Sequence, residues 1–422
     1  MMDITFKGGS INGVVTPPSS KSFTHRAIIL ASLAGGECRI ENPLISFDTE
    51  ATMDAMRSMG ARMVVEDNVI MIESDGLHAP DSTIDVRNSG TTLRLVTGIA
   101  STFDSETTLT GDESILKRPM GPLLDALSKK GVVCSSNDGR PPVKVRGPFS
   151  GGDVEIDGSM SSQFVSSLMI SSPLADGPVD IRVKGELVSK PYADITLAMM
   201  ERFGANITET EYGYHVENDA YVPTDYVIPS DYSSAAFPLV AGALGGEATV
   251  RNMDPESKQG DRRIVDILED AGMEIIRKDD VITCRRTGRP KAMDVDMSDI
   301  PDLFPIVSVL LCTANGESRL YGAPHLRFKE SDRIRLTTDM ITALGGDIIG
   351  TEDGCIIKGA ERLKGGRIAH DGDHRMMMSA AVASLICEQP VTMDDDSCWN
   401  VSYPGFVDEM GSLGLRYDRC TQ

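Results

Sequence analysis

Positive charge is scarce in this sequence. Lys and Arg total 41 against 63 Asp and Glu, a formal net charge of −22. Such a surface repels polyanions, so nucleic acid and anionic membranes are not expected partners. An anionic small molecule would need a local basic cluster to overcome the global field. Metal-type cysteine spacing is also missing. None of the eight cysteines forms a C-x-x-C pair and no His-rich spacing accompanies them. Zinc is therefore not expected, and the thiols read as reduced. Long apolar runs are absent: the stretch Ile306–Ala314 is far too short to cross a bilayer. The opening Met1-Met2-Asp3-Ile4-Thr5-Phe6 has no basic segment before an apolar one, so no secretory signal and a cytoplasmic location are expected.

What is present reads as a globular chain of more than one domain. Its 422 residues exceed one ordinary core, and 41% of them are hydrophobic. A repeat organises them. Gly60, Gly131, Gly204, Gly272, Gly345 and Gly414 recur at intervals of about 70 residues. Each follows a stretch of helical period, such as Thr52–Met59, and precedes a strand-like run. A glycine there suits the left-handed cap of a helix-to-strand turn. Two short strands are expected after each of the first five glycines, and one after the sixth.

Each repeat holds a second helix that is small and apolar nearly all round: 27–34, 93–100, 164–175, 235–244, 304–314 and 376–386. Helices of that kind are buried. The chain thus reads as α/β, six β-α-β-α-β-β repeats in two domains of three, with buried helices and outer sheets. A polar turn precedes each buried helix: Ser19–Ser22, Arg87–Thr91, Ser159–Gln163, Ser230–Ser233, Ser298–Asp302 and Asp371–Arg375. Helix capping explains the Ser and Asp residues. It does not explain the Lys, Arg, Gln and His that accompany them. Free N–H groups and positive dipole ends at such turns favour anions.

The turns are similar to those of the enolpyruvyl transferase family, in its shikimate branch, from about Gly8 to Phe406. The most specific segments are Asn88-Ser89-Gly90-Thr91-Thr92-Leu93-Arg94 and Arg327-Phe328-Lys329-Glu330-Ser331-Asp332-Arg333. Five weaker ones follow the same order: Pro18–Arg26, Ser161–Phe164, Ser189–Tyr192, Ile300–Asp302 and Asp373–Met376.

The resemblance implies a two-domain inside-out α/β barrel. Domain 1 is expected over 1–18 and 230–422, and domain 2 over 19–229, with one opening strand, Ile4–Val14, in the domain that holds the C-terminal half. It implies transfer of an enolpyruvyl group from phosphoenolpyruvate to shikimate 3-phosphate, on the route to chorismate and the aromatic amino acids. It implies no cofactor, no metal and a monomer. Ser22, Arg26, Ser161, Ser162, Gln163, Ser189, Tyr192, His325 and Lys329 match positions that hold the sugar phosphate. Lys21 and Asp302 also reach it. Lys21, Gly90, Thr91, Arg118, Gln163, Arg333, His374 and Arg375 match the surroundings of phosphoenolpyruvate. Asp302, Glu330 and Lys21 are the expected catalytic groups. Glyphosate sensitivity is implied, because tolerant members often carry alanine at the position of Gly90.

Read without the resemblance, Arg118 is an ordinary surface arginine, Asp332 pairs locally and Lys190 is solvated. His25 and His215 read as structural. Two departures from the family pattern stand out: His325 replaces a common Asn, and Val401 stands where many members have Lys. The imidazole of His325 can still donate to phosphate, whereas without that lysine the phosphoenolpyruvate clamp is expected to be weaker or differently built. Two rivals stay open. The branch acting on UDP-N-acetylglucosamine carries a cysteine where this chain has Glu113 and an Asn where it has Ser22. A non-catalytic α/β repeat scaffold would spread its charges over outer faces.

Overall fold

Every repeat glycine sits where a helix hands over to a strand. Gly60, Gly131, Gly204, Gly272, Gly345 and Gly414 all have φ between 82° and 109°, a region that costs other residues a Cβ clash. The computed structural model describes residues 2–395 and 397–421. Among them are 12 α-helices and 24 strands, two helices and four strands for each of six repeats.

The second repeat shows the plan. Strand Ile84–Asp85 leads to helix Gly90–Ala100, strand Thr107–Thr110, helix Gly121–Ser128 and the hairpin Val133–Asn137 with Arg140–Arg146. In space the strands lie in the order first, second, fourth, third. The first pair is parallel and the others antiparallel. A parallel pair needs a crossover, and the first helix of each repeat provides it. One face of each sheet is buried, as the alternating burial of Arg140–Arg146 shows.

Three of the six sheets are completed from elsewhere in the chain. Tyr226–Val227 supplies the leading strand beside Gly36–Glu41. Ile11–Val15 supplies it beside Gly246–Val250. The last repeat has one hairpin strand, Tyr417–Thr421, and Met2–Phe6 takes the vacant place between it and Val391–Asp394. The expected single strand Ile4–Val14 is therefore two strands on two sheets. Gly8, at φ 65°, breaks it, and Gly9 packs so closely that an added Cβ would lie 2.0 Å from the carbonyl oxygen of Gly414.

The chain divides into two compact units, Met1–Pro18 with Pro229–Gln422, and Ser19–Ile228. In the first, helices Tyr232–Gly245, Phe304–Leu311 and His374–Ala383 pack on one another inside three sheets. In the second, helices Lys21–Ala34, Phe47–Ser58, Gly90–Ala100, Ser162–Ser171 and Lys190–Arg202 pack in a closed ring. Small residues permit this closeness: a Cβ on Gly98 would lie 2.4 Å from Ser167 Oγ. That hydroxyl instead donates to the Arg94 carbonyl across 2.6 Å, so a polar side chain is buried without loss.

Candidate active site

In the Ser19–Ile228 unit the polar turns become helix N-termini. Lys21 opens helix Lys21–Ala34 and its Nζ lies 2.9 Å from Asp48 Oδ2. One turn on, Arg26 is buried. It donates to Thr196 Oγ1 at 2.7 Å, Ser166 Oγ at 3.4 Å and the carbonyls of Ser22 and Tyr192 at 3.0 Å each. Burial, with no carboxylate partner among the described residues, pushes its guanidinium down to about 10. Arg26 therefore ties Ser22 and Tyr192 together from beneath.

The second turn is held by Ser89, whose hydroxyl accepts from the Thr92 amide at 3.2 Å. Gly90 follows. A Cβ there would lie 3.6 Å from Arg94 NH1 and 3.7 Å from Arg118 NH1, so two guanidinium groups border the glycine. Arg118, which reads as a surface arginine in isolation, is buried. Gln163 joins the second turn to the third. Its Oε1 accepts from Arg94 NH1 at 2.6 Å and its Nε2 donates to Thr91 Oγ1 at 3.0 Å. Ser161 caps helix Ser162–Ser171 through the Gln163 amide at 3.3 Å, and Ser162 is buried beside it. Ser189 stands before helix Lys190–Arg202 at φ 56°, ψ 39°, a conformation that costs a serine energy and recurs at functional sites. Lys190 is paired with Asp194 at 2.7 Å and Glu209 at 3.2 Å.

In the other unit, a buried arginine organises three carboxylates. Arg333 donates through Nε to Asp373 Oδ2 at 2.9 Å, through NH1 to Asp302 Oδ1 at 2.8 Å and through NH2 to Glu330 Oε2 at 2.6 Å. Arg375 NH2 holds the second oxygen of Asp302 at 2.9 Å. Asp373 also caps helix His374–Ala383, accepting from the Arg375 amide at 3.0 Å, and accepts from Ser331 Oγ at 2.8 Å. The side chain of Arg333 is 1% exposed, those of Asp302 and Glu330 17% and 28%. The cation is structure; the two carboxylates are reachable.

Burial alone would raise the Asp302 carboxyl. Arg375, Lys329 and Arg333 overcome it and hold the group well below the ordinary carboxylate range. Burial and Lys329 push the His325 imidazolium down to about 3, so the ring is neutral. Asp261 goes the other way: burial and Asp302 push it up to about 7. It accepts a hydrogen bond from Ser233 Oγ. Asp231, raised chiefly by burial, caps helix Tyr232–Gly245 by accepting from the Ser233 amide.

The structure thus brings Gly90, Thr91, Arg118 and Gln163 together in one unit, along with Ser22, Arg26 and Tyr192. It brings Asp302, Glu330, Arg333 and Arg375 together in the other, where Lys329 acts on Asp302 and His374 on Asp373. Asp332 caps helix Arg333–Ala343 and pairs with Arg327 at 2.9 Å. Sequence reasoning gave no role to Asp48, Arg94, Asp373 and Asp261. Arg94 and Asp373 lie inside the quoted segments, so that signal was at hand. Asp48 and Asp261 carry no local signal.

The EPSP synthase (3-phosphoshikimate 1-carboxyvinyltransferase) family model matches residues 6–410. A 3-phosphoshikimate 1-carboxyvinyltransferase from Methanocorpusculum labreanum is 46% identical, over 98% of this chain and 99% of the relative. One from Nitrosopumilus maritimus is 41% identical, over 96% and 97%. The structure of EPSP synthase from Acinetobacter baumannii superposes with a TM-score of 0.83 at 27% identity, covering both chains completely. With six four-stranded sheets outside buried helices and these likenesses, the chain is a transferase of the two-domain inside-out α/β fold. The chain belongs to the EPSP synthase family.

Proposed function

We propose that this protein transfers the enolpyruvyl group of phosphoenolpyruvate to the 5-hydroxyl of shikimate 3-phosphate. The observation that carries this reading is Asp302, ionised and half-enclosed by Arg333 and Arg375, with Glu330 on the same guanidinium. Asp302 takes the hydroxyl proton as the oxygen bonds to C2 of the enol. Glu330, with Lys21 as a cationic donor, delivers a proton to C3. The C2–O bond to phosphate then breaks, a proton leaves C3, and 5-enolpyruvylshikimate 3-phosphate and phosphate are released. The anionic substrates bring charge that pushes Glu330 toward protonation only when both are bound.

Ser22, Arg26, Ser161, Ser162, Gln163, Ser189, Tyr192, His325 and Lys329 are proposed to serve the sugar phosphate, with Arg26 acting through the groups it ties. Gly90, Thr91, Arg118, Gln163, Arg333, His374 and Arg375 are proposed to serve phosphoenolpyruvate, Arg333 through the carboxylates it holds. Hydroxyl, amide and guanidinium donors suit phosphates and a polyol ring. The working form is proposed to be a cytoplasmic monomer needing no cofactor. No helix among the described residues is long and apolar enough to cross a membrane.

The test is phosphate release from the two substrates together. Release that requires both supports the reading, and none with either order of addition overturns it. Protection from heat by shikimate 3-phosphate, and not by UDP-N-acetylglucosamine, separates the two branches of the family.

A further inference from the structure

His25 takes no part in the mechanism above, yet it is fully buried at the heart of the Ser19–Ile228 unit. Its Nδ1 lies 2.7 Å from Thr52 Oγ1. Thr52 Oγ1 lies 2.6 Å from Thr92 Oγ1, and the Thr92 hydroxyl donates to Ser89 Oγ across 2.7 Å. All four side chains are completely enclosed. The chain joins helices Lys21–Ala34, Phe47–Ser58 and Gly90–Ala100, and it ends on the residue that caps the turn at Gly90.

A hydroxyl has one proton, and this fixes the direction of the whole chain. Thr92 gives its proton to Ser89, so it must accept from Thr52. Thr52 gives its proton to Thr92, so it must accept from His25. The proton of the imidazole is therefore on Nδ1. The other nitrogen agrees: Nε2 is buried with no hydrogen-bond partner among the described residues. A bare lone pair there costs less than an unsatisfied N–H would. Burial, with Lys21 and Arg26 nearby, keeps the ring uncharged by pushing its pKa well below the ordinary histidine value.

We infer that His25 is a positioning residue for the Ser89-Gly90-Thr91 turn, acting as the Nδ1–H tautomer at the head of a one-way chain through Thr52 and Thr92. The inference rests on the proposed function for its kinetic consequence, because that turn borders the phosphoenolpyruvate positions. The chain holds Ser89 Oγ as a double acceptor, from the Thr92 hydroxyl and the Thr92 amide. Loss of one link leaves the cap with the Thr92 amide alone and lets the turn drift, while Ser161 keeps its bond to the Gln163 amide and Arg26 its bond to the Tyr192 carbonyl.

The experiment has two arms. Nitrogen-15 NMR of histidine-labelled native protein, assigned by comparison with His25→Asn, reads the tautomer directly. A protonated Nδ1 and a bare Nε2, unchanged as pH moves through the ordinary histidine range, is the expected result. A protonated Nε2 or a titrating ring overturns the chain, whatever the enzyme's substrates are. In the second arm, Thr92→Val should raise KM for phosphoenolpyruvate about three- to tenfold, the worth of one hydrogen bond. KM for shikimate 3-phosphate should hold, and Thr92→Ser should restore the native value. Equal changes in both KM values, or no rescue by serine, would reduce the chain to a packing feature. A native protein with the expected tautomer but no turnover on these substrates would instead refute the proposed function.

Discussion

Arg333 NH1 lies 2.8 Å from Asp302 Oδ1, and of the two residues only the aspartate is open to a ligand. That asymmetry separates structural duty from chemical duty within one ion pair. Arg333 also holds Glu330 and Asp373, so its removal would leave three carboxylates to be reorganised. Arg333→Met should lower stability by about 3–5 kcal/mol, the cost of breaking a buried pair from one side. Arg333→Lys should recover part of it, since a single ammonium cannot reproduce a three-way planar fork. Urea denaturation of the three proteins checks both statements.

Asp302→Asn and Glu330→Gln should each lower kcat by roughly 10²–10⁴, the range for losing a general acid or base. Affinity should fall less, because each amide keeps the shape of its carboxylate. Turnover and ligand binding must be measured separately. Near-native turnover would remove that residue from the chemistry, and lost affinity alone would make it a binding residue.

Gly90→Ala tests the steric reading of the second turn. The added methyl would meet guanidinium atoms at 3.6–3.7 Å, ordinary contact distance, so the fold should lose no more than about 0.5 kcal/mol. The native enzyme is expected to be glyphosate-sensitive. The variant should raise the glyphosate inhibition constant more than KM for phosphoenolpyruvate, because the longer ligand is crowded first. Native indifference to the inhibitor would show that the turn does not border that ligand.

Asp261 gives a prediction in pH. Its folded carboxyl is raised from 3.8 to about 7, so between those values the native state binds the proton more tightly than the unfolded chain. Stability contributed by that proton is full below the lower value and is lost as pH rises toward the upper one. Asp261→Asn cannot ionise and should escape this loss. The stability difference, variant minus native, should grow as pH rises through the window, by at most about 1.4 kcal/mol per pH unit, and level off above it. A constant difference in denaturation experiments across the window would show that Asp261 is ionised throughout.

Much of this protein is decided locally and so is legible in its sequence. Six glycines at helix ends adopt left-handed φ because only glycine does so without strain, and that requirement marks every repeat. The apolar helices announce their own burial, and the Ser and Asp caps announce their N-termini. The family's turn segments bring the expected site residues in order. Other features needed the folded chain. Met2–Phe6 and Ile11–Val15 complete sheets whose partner strands lie hundreds of residues away in the sequence, and no periodicity encodes such a pairing. Arg118 looks like any surface arginine until its segment packs beside Gly90. His25 owes its tautomer to two threonines on two other helices. The sign of the Asp261 shift depends on how deeply it is enclosed and on Asp302 nearby. Local conformational preference is written in adjacent residues, whereas burial, electrostatic pairing and proton direction are set by distances between residues that only tertiary packing brings together.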